Sequence, residues 1–193
     1  MSRRSFIPRI GRLLASVLLI VAFGSSAQVP VADDDAEELA ERIGGGNPVA
    51  GKLKVESAGC LACHAVDGRG TDADSPKLGG QYADYLVNQL RSFRSGERRH
   101  PAVDGEAANI GDADLADIAA YFAGSKKMQG ELAADDEPAK NLFVKGDIKR
   151  DILPCVSCHS VSGKGKSAGS DIYPVIGGQR GLYLREQLRD FRK

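Results

Sequence analysis

The chain has 193 residues, 42% hydrophobic and 27% charged, and its 26 Lys and Arg balance 26 Asp and Glu. That balance excludes a strongly basic nucleic-acid binder, and the composition is that of a globular protein, not a disordered or fibrous one. The length allows one or two small domains.

The first stretch reads as a targeting signal. Arg3, Arg4, Arg9 and Arg12 form a basic head, an apolar run covers residues 13–23, and Ser25, Ser26 and Ala27 offer a cleavage site. The run is too short to span a bilayer, so residues 1–27 are expected to be a signal peptide leading to the periplasm. Arg3-Arg4 also fits a twin-arginine signal, and either route leads out of the cytoplasm. Removing residues 1–27 takes away four arginines and no acid, leaving a net charge near −4. Residues 28–46, with Asp33-Asp34-Asp35 and Gly44-Gly45-Gly46, are expected to be a mobile leader.

A first domain is expected over residues 47–124. A short helix over residues 48–58 runs into Cys60-Leu61-Ala62-Cys63-His64. Residues 82–94 read as a helix with Leu86, Leu90 and Phe93 on one stripe, ended by Gly96. Residues 112–122 read as another, capped by Asp112, with Leu115, Ile118, Ala119 and Phe122 sharing a face. Residues 125–138 are expected to be a linker, acidic and Ala-rich towards its end. A second domain is expected over residues 139–193, where a helix over 139–145 leads toward Cys155-Val156-Ser157-Cys158-His159.

The two halves repeat. Gly68-Arg69-Gly70 is matched by Gly163-Lys164-Gly165, and Pro76-Lys77-Leu78-Gly79-Gly80-Gln81 by Pro174-Val175-Ile176-Gly177-Gly178-Gln179. Tyr85 to Arg94 is matched by Tyr183 to Arg192; the offset is 95 at the cysteines and 98 afterwards, so the second copy holds three extra loop residues.

All four cysteines lie in two CxxC pairs, and two of the three histidines follow these pairs at once. Two thiols one helical turn apart can each form a thioether with a haem vinyl group, and the adjoining histidine can reach the iron from the same side. A thioredoxin-like pair would need a βαβ pattern, and none is visible. A four-cysteine zinc site usually has a short connection, whereas 91 residues separate these pairs. The motifs therefore point to two covalently bound haem c groups, held by Cys60, Cys63, His64, Cys155, Cys158 and His159. A covalently held macrocycle also supplies apolar surface that each small repeat lacks.

CxxCH, G-x-G, P-x-[LI]-G-G-Q and Y-L-x-x-Q-L-x-x-F-R, twice over, resemble the di-haem cytochrome c4 family across most of residues 48–193. The resemblance implies an all-α fold of two class I cytochrome c-like haem domains in tandem, the second lacking its C-terminal helix. It implies single-electron transfer in the periplasm to redox partner proteins such as a terminal oxidase or a quinol-oxidising complex. It leaves room for association with the outer face of the inner membrane. By the same resemblance His64 and His159 are the proximal iron ligands, and the carbonyls of Pro76 and Pro174 hold their imidazoles.

The chain departs from that family at the sixth iron position. The family's methionine falls at about Val103, which cannot ligate iron. His100, three residues earlier, and Met128, beyond the last helix of the first domain, are the alternatives. The second copy ends at Lys193, before any counterpart of residues 97–122. Besides an electron carrier, this leaves a peroxidase-like or gas-binding haem protein with an open iron, or a truncated product without function. Arg91, Arg94, Arg98, Arg99, Arg185, Arg189 and Arg192 suit haem propionates or a docking partner, or form a solvated helix face.

Overall fold

The computed structural model describes residues 36–128, 136–168 and 171–192. The expected signal peptide, residues 28–35 of the leader and residues 129–135 of the linker lie outside them.

The first unit holds α1 (Ala36–Ile43), α2 (Pro48–Ser57), α3 (Leu61–His64), α4 (Ala83–Ser95), α5 (Asp104–Ala108) and α6 (Asp112–Ala123). The Asn47 side chain accepts from the Val49 and Ala50 amides and Pro48 takes the first helical position, which starts α2. Gly96, left-handed at φ 80°, ends α4. Asp112 differs from its expected capping role. It is the first residue of α6, with Gly111 at the cap, and pairs with Arg94.

Leu115, Ile118, Ala119 and Phe122 of α6 are all buried, as their shared face implies. They form the core with Val55 of α2 and Leu86 of α4, and Leu78, Leu90 and Ile43 pack against it. The amphipathic stripe thus packs α6 against α2, α4 and α1.

Part of the expected leader belongs to this core. Residues 36–43 form α1, Arg42 is buried, and its Nε donates to the Ala123 carbonyl at 2.7 Å. A long arginine stem can cover apolar surface while its head finds a carbonyl, so a segment rich in charge still packs.

The second unit repeats the plan with α7 (Glu137–Lys145), a 3-10 turn (Ile148–Arg150), α8 (Val156–His159) and α9 (Gly181–Asp190). Its departure from an all-helical plan is a hairpin of β1 (Lys166–Ala168) and β2 (Asp171–Tyr173), antiparallel with Lys166 opposite Tyr173. The hairpin occupies the loop that is three residues longer than its counterpart. In the first unit the shorter loop closes on Asp72, whose carboxylate accepts from the Asp74 and Ser75 amides.

The two units meet through repeated loops and helices. Arg98 bridges Gln89 of α4 and both Tyr183 and Gln187 of α9, while lying over the Phe93 ring. Arg180 reaches the carbonyls of Ser75, Arg69 and Gly70 in the first unit at 3.0–3.1 Å.

Candidate haem sites

Each CxxCH motif folds as one short helical turn, α3 or α8, with its first cysteine at the N-terminal boundary. That turn brings both thiols and the histidine into one neighbourhood. The four cysteines are free thiols, so no disulfide competes for them. Burial pushes the Cys60 thiol upward, with the Glu106 charge adding to the effect.

The histidines are held identically. His64 Nδ1 lies 3.0 Å from the Pro76 carbonyl, and His159 Nδ1 lies 3.0 Å from the Pro174 carbonyl. A carbonyl has no proton to give, so each imidazole donates from Nδ1, and its unprotonated Nε2 is left to bind elsewhere. Burial lowers the His64 pKa, against the opposing effect of the Pro76 carbonyl. An aromatic edge flanks each ring: Phe122 at 6.1 Å from His64 and Tyr173 at 6.3 Å from His159. The hairpin thus gives the second unit a ring where the first uses α6.

The repeated glycines explain how the proline carbonyls reach these positions. Gly68 and Gly163 sit at φ 69° with the next turn against them, so an added Cβ would lie 2.5 Å from the Gly79 nitrogen or 2.6 Å from that of Gly177. Their carbonyls accept from the Leu78 and Gly79 amides, and from the Ile176 and Gly177 amides. The Gly70 and Gly165 amides return to the His64 and His159 carbonyls at 3.0 Å. G-x-G and P-x-[LI]-G-G-Q are two halves of one clasp around the histidine.

These residues fit covalent haem. Each unit offers two free thiols, one imidazole with a fixed tautomer, and an aromatic edge beside it. The alternative of a shared zinc site finds no support, because no three His, Cys, Asp or Glu side chains converge among the described residues.

The distal candidates are placed differently from one another. His100 is exposed, and its Nδ1 accepts weakly from the Ala102 amide at 3.3 Å. Val103 is half-buried at the start of α5. Met128 lies at the junction of the units, where its sulfur accepts from Gln179 Nε2 at 3.3 Å. That partner sits on the proline side of the histidines.

Among the arginines, Arg94 binds the Ile110 carbonyl and Asp112, and Arg189 pairs with Glu186 along α9. Arg98 joins the units and is not on a solvated face. Sequence reasoning gave no role to Gln81, Gln179, Arg180 or Tyr173. The glutamines carried a signal, since each closes a repeated motif. Arg180 replaces a tyrosine in the other copy, and Tyr173 stands in the lengthened loop where the other copy has Ser75, so repetition could not reveal them.

Residues 49–126 match the cytochrome c family, which defines this part of the chain as a c-type cytochrome domain. Cytochrome c4 of Pseudomonas aeruginosa is 40% identical over 150 residues, spanning 77% of this chain and 72% of the relative. A thiosulfate dehydrogenase electron acceptor of Stutzerimonas stutzeri is 32% identical over 155 residues, 78% of this chain and 67% of that protein. The crystal structure of reduced recombinant cytochrome c4 from Pseudomonas stutzeri has a TM-score of 0.69 at 34% identity, covering 77% of this chain and 81% of that one. The chain belongs to the cytochrome c4 family. It is an electron carrier with covalently bound haem c, not an enzyme.

Proposed function

We propose that the protein is a periplasmic di-haem cytochrome that passes single electrons between respiratory partners. Cys60 and Cys63 hold one haem by thioether bonds, and Cys155 and Cys158 hold the other. His64 and His159 are the proximal iron ligands, and Pro76 and Pro174 fix their orientation. The observation that carries this reading is the pairing of each histidine with its proline at the same 3.0 Å in both repeats. Bound haem supplies a one-electron iron couple; the chain's own part is to hold it and fix the imidazole tautomer.

On the first unit, His100, three residues before Val103, is the candidate for the sixth position. The similarity to a thiosulfate dehydrogenase electron acceptor supports a redox enzyme of that kind as electron donor. A terminal oxidase or a quinol-oxidising complex is the alternative partner. Residues 1–27 supply export, and no described helix is long and apolar enough to cross a membrane.

Anaerobic reductive titration of the purified protein tests the proposal. Two one-electron equivalents per chain are expected, with full reoxidation and the spectrum of low-spin c-type haem. Uptake of one equivalent, or turnover of peroxide at an enzyme's rate, would replace it with a single-haem or peroxidase-like reading.

A further inference from the structure

The last residue of each repeated proline motif leaves its own unit and holds the other. Gln179 Oε1 accepts from the Lys77 amide at 2.9 Å, and its Nε2 donates to the Lys77 carbonyl at 2.8 Å. Gln81 Oε1 accepts from the Val175 amide at 2.9 Å, and its Nε2 donates to the Val175 carbonyl at 3.0 Å. Each side-chain amide therefore grips one residue of the opposite unit as a strand partner would.

The gripped residues are those that follow Pro76 and Pro174. The Pro76 carbonyl and the Lys77 amide are two ends of a single peptide group. Its oxygen accepts from His64 while its N–H donates to Gln179. The Pro174–Val175 peptide does the same between His159 and Gln81. Both units thus hold a continuous relay from imidazole through peptide to the other unit's glutamine. Hydrogen bonds in such a chain polarise one another: a good acceptor on the amide N–H makes the carbonyl a better acceptor.

The glutamines are fixed for this task. Gln81 is 3% exposed, and its Oε1 also takes the Tyr82 amide at 3.1 Å. Gln179 Oε1 takes the Arg180 amide at 2.9 Å, and its Nε2 also donates to Met128. Gln81 is buried and Gln179 half-buried, and an amide withdrawn from water acts on its neighbour more strongly than one in water.

We infer that Gln81 and Gln179 are crossed positioning residues: each sets the electron-donating strength of the proximal histidine in the opposite unit. This rests on the reading of His64 and His159 as iron ligands. A histidine whose Nδ1–H is drawn towards a strong acceptor is the more basic ligand and favours oxidised iron. The docking of the units therefore sets both reduction potentials, and each potential answers to the other repeat.

The test is spectroelectrochemistry of full-length, haem-loaded protein, with the two haems assigned by NMR. Gln179→Leu removes the acceptor from the Lys77 amide. It should raise the potential of the haem at His64 and leave that at His159 unchanged. Gln81→Leu should do the reverse. Gln179→Glu keeps an acceptor oxygen and adds charge, so it should lower the potential of the haem at His64.

Hydrogen exchange separates this from simple loss of docking. In Gln179→Leu the Lys77 amide should exchange faster while the Val175 amide stays protected. If both amides lose protection the units have parted, and Gln179→Glu decides. Equal shifts at both haems with Val175 still protected, a shift confined to the glutamine's own unit, or no shift would overturn the inference. A haem count other than two would instead overturn the underlying assignment, so the two failures are distinct.

Discussion

At the scale of single residues, the recurring device is a polar side chain whose geometry is fixed by a backbone carbonyl or amide. The proline carbonyls do this for the histidines, and Asn47 and Asp117 do it for the helices. Asp117 of α6 accepts from the Asn47 amide at 2.8 Å and from Lys54 Nζ at 2.6 Å, which ties the start of α2 to α6. The Lys54 hydrogen bond, then the Asn47 amide, hold the Asp117 carboxyl below the usual carboxylate range. A carboxyl with a depressed folded-state pKa stabilises the fold above its unfolded value of about 3.9, and that contribution is lost as pH falls through the folded value. Asp117→Asn should therefore lower stability at neutral pH and flatten the acid side of the curve. Unfolding midpoints measured from pH 7 to pH 3 should converge for the two proteins at the acid end; parallel curves would contradict this role.

At the scale of elements, α2 crosses α6 so closely that glycine is required at the contact. A Cβ at Gly51 would lie 2.0 Å from the Asp117 carbonyl oxygen, which is backbone and cannot swing aside. Gly46 meets the Ala116 oxygen in the same way at 2.1 Å. Gly51→Ala gains helix propensity but overpacks the crossing, so a net loss of about 1–3 kcal/mol is expected in denaturant unfolding of the haem-loaded protein. Unchanged or increased stability would show that the helices are free to separate. The helices α4 and α6 were legible from apolar spacing, and α2 and α7 from their place ahead of each CxxCH motif. The helix α1 was not, because its charge resembles a mobile tail and its contact depends on Arg42 reaching α6. The hairpin β1–β2 was not legible either: the extra residues were visible by alignment of the repeats, but no period distinguishes a three-residue strand from a loop.

At the scale of the whole molecule, one unit written twice makes two similar histidine clasps and sets them against each other. The clasps were legible because CxxCH, the proline and the glycines recur in order. Their mutual grip was not, since sequence repetition shows what each copy contains and not where its side chains reach. Covalent attachment at both clasps is the central claim, and intact mass of the purified protein before and after acid–acetone extraction tests it most directly. The native chain should retain two haem masses and a Cys155→Ala/Cys158→Ala variant one, still attached through Cys60 and Cys63. A native mass that shows one haem or none, or haem that extracts with the solvent, would contradict the account.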